Sequence, residues 1–162
     1  MNQNDFCVLT AAASKSVRMI ALALALDAKG ASERPGNNQG AIVRAVMGGA
    51  DGVECQWCAG FATRCYILAA QMLAQPNPFT GLDNRFSSSA LYRWAQKQGK
   101  LTDKPRNGDL FLVKGGKTGH KHTGMIAETY PTTIKTIEGN ISDKVVQREI
   151  DRANLDFIRV AD

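Results

Sequence analysis

The chain has 162 residues, 44% of them hydrophobic and 22% charged, which suits one globular domain with its own core. No apolar run is long enough to span a bilayer, and a net charge of +5 with no interleaved aromatic stripe argues against nucleic acid as a partner. Lys97, Lys100, Lys104, Arg106, Lys114, Lys117 and Lys121 crowd one region and read as a solvated face.

Residues 1–13 read as a leader and residues 14–162 as a single domain. The run from Met19 to Leu26 follows Lys15 and Arg18, as the apolar core of a signal peptide would. Asp5 in the would-be basic region argues against that reading. Alanine and leucine are strong helix formers, so the run predicts a buried first helix from Ser14 or Ser16 to Lys29, closed by Gly30. Without an export signal, Cys7, Cys55, Cys58 and Cys65 are expected as reduced thiols.

Turn residues fill 33–40, and a short helix is predicted over 41–47, ending at Gly48-Gly49. A longer helix begins at Cys58 and runs to about Gln75, before Pro76. Cys58, Phe61, Cys65, Leu68 and Met72 fall at helical spacing and predict one apolar stripe against the core. Residues 77–85 read as a loop, and Ser87 or Ser88 can cap a helix through Gln98. After Pro105 the pattern changes to strands over 110–113, 122–130, 133–140, 145–150 and 157–160. Helices first and strands afterwards predict an α+β fold, with N-terminal helices packed on a C-terminal antiparallel sheet of about five or six strands.

The chemistry concentrates around Gln56-Trp57-Cys58-Ala59-Gly60-Phe61. A thiol becomes a good nucleophile as thiolate, and a helix N-terminus with a histidine nearby favours that form. The Cys58 N–H is unpaired at a helix start and can help bind an oxyanion, with Gln56 or an upstream backbone N–H as the second donor. Trp57 and Gly60 are expected to shape a cleft wall. A buried structural cysteine is the plain alternative for Cys58.

His122 opens a strand, and Glu138 and Asn140 share one face of the next. An odd connection around Pro131, or a compensating bulge, places both on the His122 side, whereas a one-residue slip sends them away. In the right register either could accept the imidazole N–H and fix its tautomer. Glu138 is expected to hold the imidazole, because a carboxylate also stabilises the imidazolium. Asn140 is expected as a second orienting group or a donor near the substrate carbonyl. His120 sits in a glycine- and lysine-rich turn and is expected to be a solvent-exposed loop residue.

Four pieces, in this order and spacing, carry a family resemblance. They are Trp57-Cys58-Ala59-Gly60-Phe61, Pro105-Arg106-Asn107-Gly108-Asp109-Leu110, His122-Thr123-Gly124-Met125-Ile126 and Ile137-Glu138-Gly139-Asn140. Together with Gly36-Asn37-Asn38-Gln39-Gly40, they resemble the CHAP domain, a cysteine- and histidine-dependent amidohydrolase/peptidase of papain-like fold. The resemblance covers roughly residues 33–140. It implies a Cys58 nucleophile, a His122 base and a polar partner from Glu138 and Asn140, with no cofactor. It also implies hydrolysis of peptidoglycan amides, at the muramoyl–alanine bond or within the peptides, although some relatives cut other amides. The close flanking Cys55 and Cys65, and the lack of a wall-binding module, depart from the usual pattern.

Such an enzyme would be made in the cytoplasm and reach the cell wall by another system, as a phage lysis enzyme or an antibacterial effector with an immunity or inhibitor protein. Two other classes compete. Cys55-Gln56-Trp57-Cys58 has the spacing of a redox motif, but no strand leads into it as a thioredoxin-like fold requires. Cys55, Cys58, His120 and His122 are ligand types that suit zinc, but a single residue between the histidines is shorter than zinc-finger spacing.

Overall fold

The computed structural model describes residues 16–33, 38–49, 56–115 and 119–162. The expected leader, Ser14, Cys7, Cys55 and Lys117 lie outside the described residues, as does the start of the glycine–asparagine loop.

Helix α1 (Val17–Asp27) starts at Ser16, whose hydroxyl accepts from the Met19 N–H at 3.4 Å. Its apolar residues Ile20, Ala21, Leu22 and Ala25 are buried, which is the physical use of the alanine–leucine run. Helix α2 (Ala41–Met47) is short and closed by Gly48, in the left-handed region at φ +85°. Helix α3 (Cys58–Met72) and helix α4 (Ser88–Lys97) follow, the latter capped by the Ser87 hydroxyl accepting from Ala90 N–H at 3.2 Å.

Strands β1 (Leu110–Lys114), β2 (His120–Thr129), β3 (Thr133–Ile141), β4 (Lys144–Asp151) and β5 (Leu155–Ile158) form one sheet. Its order is β4-β3-β2-β1-β5 and every pairing is antiparallel. The fold is therefore α+β. Leu110, Leu112, Met125, Ala127 and Ile137 join the helices in the main core. Phe111, Ile126, Ile134, Leu155 and Phe157 form a smaller cluster of their own.

The predicted stripe of α3 is rotated. The buried side is built from Cys58, Ala59, Phe61, Ala62, Cys65, Tyr66, Ala69 and Ala70, whereas Leu68 is half-buried and Met72 is 53% exposed. Small residues win this face because α3 packs closely against α1, β2 and β3 at once. A Cβ on Gly139 of β3 would come within 2.7 Å of the Trp57 ring and 2.8 Å of Phe61 Cβ, so only glycine admits the first turn of α3 here. Tyr66 anchors the same helix further along, its hydroxyl donating to the Gly108 carbonyl at 2.6 Å.

The strand register decides which side chains meet. Met125 pairs with Ile137 and Ile126 with Thr136, but Glu128 pairs with Lys135, so Ala127 is an extra residue in β2. This bulge separates the hairpin end, around Tyr130 and Thr133, from the end where His122 and Glu138 meet. No helix among the described residues is long and apolar enough to cross a membrane.

Candidate active site

Cys58 is the first residue of α3, and the preceding Trp57 offers no side-chain cap. Helix-start N–H groups therefore lack a conventional partner. The Cys58 sulfur lies beside the His122 imidazole, near the backbone N–H groups of Ala59 in the helix and Thr123 in β2. Trp57 itself is fully buried and donates its indole N–H to Glu33, whose other carboxylate oxygen accepts from the Asn38 N–H at 2.5 Å. Glu33 thus ties the chain before α2 to the start of α3.

The imidazole of His122 hydrogen-bonds through Nε2 to Glu138 Oε2 at 2.7 Å, which leaves Nδ1 for Cys58. Gly124 makes the approach possible. A Cβ there would lie 2.8 Å from Glu138 Cγ and 2.8 Å from the Phe111 ring, in the space the carboxylate side chain crosses. Glu138 is wholly buried and its oxygens are fully engaged. Arg148 Nε donates to Oε1 at 2.8 Å and its terminal nitrogen to Oε2 at 2.9 Å, while the Thr136 hydroxyl donates to Oε1.

The electrostatics follow from this chain of contacts. Burial pushes the Cys58 thiol up, but the hydrogen bond and charge of His122, with the two backbone N–H groups, bring it below the ordinary thiol value. Burial lowers His122, yet its bonds to Cys58 and Glu138 raise it to about 9. Burial raises Glu138, and its bonds from His122, Arg148 and Thr136 outweigh that and hold it at about 2. The shifts favour the imidazolium and the carboxylate and bias Cys58 toward its thiolate. Cys65, two turns along the same helix, has no such partners, and burial drives it to about 12.

Asn140 is half-buried at φ +62°, within the irregular pairing between Glu138 and Ile141. Among the described residues its side chain makes no hydrogen bond to His122, so Glu138 alone holds the imidazole. Gln56 is exposed immediately before the helix, with no side-chain partner among the described residues.

Two sequence expectations need correction. Trp57 cannot wall a substrate cleft with its side chain, because the ring is covered by Gly139 and its N–H is spent on Glu33. Gly60 is likewise a packing position, where a Cβ would lie 3.2 Å from Met47 and Phe86. His120 is the first residue of β2, not an exposed loop residue. Its side chain is 8% exposed, its Nε2 lies 2.8 Å from Asp156 Oδ2, and its ring stacks on Tyr92 at 4.4 Å. The two imidazoles point to different carboxylates and do not converge, while Cys55 lies outside the described residues, as does any Cys55–Cys58 pairing.

Arg148, Thr136 and Glu33 were not singled out from the sequence. Arg148 pairs across the sheet with Thr136, two residue pairs from Glu138 and Val146. An arginine alternating in phase with Thr136 and Glu138 was the available signal, but it is readable only once the β3–β4 register is known.

A groove of about 950 Å³ lies elsewhere, lined in part by Leu101, Asp103, Arg152, Asp156 and Phe157, and none of Cys58, His122 or Glu138 borders it. Comparison with protein-family models, curated proteins and solved structures returns no match.

Proposed function

We propose that the protein is a cysteine-dependent amide hydrolase of papain-like design, related to the CHAP domain, acting on peptidoglycan or its peptides. The reading rests on one observation: Cys58 stands at a helix N-terminus against His122, whose Nε2 is hydrogen-bonded to the buried carboxylate of Glu138.

In this reading the Cys58 thiolate attacks the amide carbonyl, and the oxyanion is met by N–H groups at the start of α3. The His122 imidazolium gives its proton to the leaving amine, and the C–N bond breaks to leave a thioester on Cys58. Neutral His122 then takes a proton from water, whose oxygen attacks the thioester and releases the acid. Glu138 stabilises the imidazolium and keeps Nδ1 aimed at sulfur.

Digestion of purified peptidoglycan followed by mass spectrometry of the products tests both activity and bond. Amidase action releases intact stem peptides from muramic acid, and endopeptidase action shortens or uncouples them. Cleavage by the wild type and none by Cys58→Ala is expected. No new product from the wild type on peptidoglycan, with turnover of another amide, would move the substrate class and leave the thiol chemistry standing.

A further inference from the structure

Glu138 is held from two sides. His122 approaches it from β2, and Arg148 grips both its oxygens from β4 with bonds of 2.8 and 2.9 Å. A bidentate guanidinium fixes the plane of a carboxylate, which a single hydrogen bond leaves free to turn. Thr136, directly across from Arg148, adds a hydroxyl to the same oxygen that Arg148 Nε uses. Arg148 is 44% exposed, yet Glu138 is completely covered, so the guanidinium is the contact between a buried carboxylate and the surface. The other groups on His122 are Cys58 from α3 and, from β1, the Phe111 ring at 6.3 Å, which does not titrate.

We propose that Arg148 is a positioning residue: by clamping Glu138 from β4 it aims the carboxylate at His122 and so sustains the reactive thiolate of Cys58. Among the described residues Arg148 makes no hydrogen bond to Cys58 or His122, and it acts through Glu138. Without it, a buried carboxylate keeps only Thr136 and His122, is more readily protonated, and can rotate out of line with Nε2. The low pKa of Glu138, to which the Arg148 bonds contribute, agrees with this role. For its bearing on turnover the inference rests on the hydrolase reading above; its test does not require cleavage.

The test is the rate at which iodoacetamide modifies Cys58 across the pH range, followed by mass spectrometry on the Cys58 peptide. Wild type, Arg148→Met, Arg148→Lys, Glu138→Gln and the double variant Glu138→Gln/Arg148→Met are compared, with thermal melts to establish folding. Arg148→Met is expected to move the midpoint of modification upward by about one pH unit, a roughly tenfold slower reaction on the acid side. Arg148→Lys, with the charge but without the two-point grip, should fall between. In the Glu138→Gln background the Arg148 change should add nothing, because the pathway is already cut. Superposition of the Arg148→Met and wild-type profiles, or an equal further loss in the double variant, overturns the proposal. Should Arg148→Met fail to fold, the lysine variant decides: identity with wild type overturns the clamp. An unchanged modification profile with a raised KM would instead mark Arg148 as a substrate contact. Normal Arg148 dependence of modification with no peptidoglycan cleavage would sink the substrate assignment and leave the clamp intact.

Discussion

Two histidines stand two residues apart on β2, each within 2.8 Å of a carboxylate, and their surroundings differ in almost every other respect. His120 is stacked on Tyr92, and its partner Asp156 is shared with Lys114 at 3.1 Å beside a wide groove. His122 faces a thiol at a helix N-terminus, and its partner is buried and held by an arginine and a threonine. Between the two, the β1–β2 pairing shifts register, with Val113 opposite His122 but Lys114 opposite His120. The bend sends the side chains to different neighbourhoods. A histidine–carboxylate pair is therefore not itself a site; what matters is the group on the other imidazole nitrogen and how the carboxylate is held.

The cysteines of α3 repeat the lesson. Cys58 and Cys65 are both buried, but burial alone raises a thiol pKa, as Cys65 illustrates. Of the two, Cys58 has the His122 imidazole and the backbone N–H groups of Thr123 and Ala59 to reverse the sign.

The most severe tests break the reactive pair. Cys58→Ala should abolish amide cleavage without loss of fold, and His122→Ala should cost about a thousandfold or more in kcat/KM. His120→Ala should keep most activity and instead lower stability by about 1–3 kcal/mol, since it removes the ring stacked on Tyr92 and leaves Asp156 to Lys114 alone. Equal activity losses at both histidines would erase the distinction drawn here.

Glu138→Gln comes next. Turnover should fall by about 10²- to 10⁴-fold, with the apparent pKa of Cys58 raised. In the wild type, kcat/KM should follow a bell with its basic limb near pH 9, where His122 loses its proton; in Glu138→Gln that limb should move down. The linkage to stability has a definite sign. Glu138 is depressed from 4.5 to about 2, so its contribution is present above pH 4.5 and is lost as pH falls toward 2. His122 is raised from 6.5 to about 9, so its contribution is present below pH 6.5 and is lost as pH rises through 9. Denaturation profiles in which Glu138→Gln shows the same acid loss as wild type would contradict the first of these.

The thiol comparison is sharpened by alkylation. At neutral pH iodoacetamide should label Cys58 and spare Cys65, and peptide mapping reads both at once. Comparable labelling of the two would mean that the Cys58 environment does not activate it. Smallest of all, Asn140→Ala should change kcat/KM by only a few-fold, because the imidazole is already held by Glu138. A loss as large as that of Glu138→Gln would give Asn140 a direct part in substrate binding or catalysis.

Much of this was legible in the chain alone. The switch from helical to strand patterning after Pro105 gave the α+β order, since period 3.6 and period 2 place apolar side chains differently. The start of α3 at Cys58 followed from residue type and helical spacing, and alternation put Glu138 and Asn140 forward as partners of His122, subject to the strand register. Other features were set by contacts between distant segments. Sequence spacing could not reveal that α3 turns its alanines inward, because that choice depends on how closely α1 and the sheet approach. Nor could it distinguish the two histidines by surroundings, as Tyr92 and Asp156 lie 28 and 36 positions from His120. The β2–β3 pairing, with its bulge at Ala127, set Glu138 toward His122, and the β3–β4 register set it toward Arg148; a register is a property of two strands at once. The sequence by itself determined which groups were available to react; the tertiary structure decided which of them touch, because hydrogen bonds and pKa shifts act over a few ångströms of space and not along the chain.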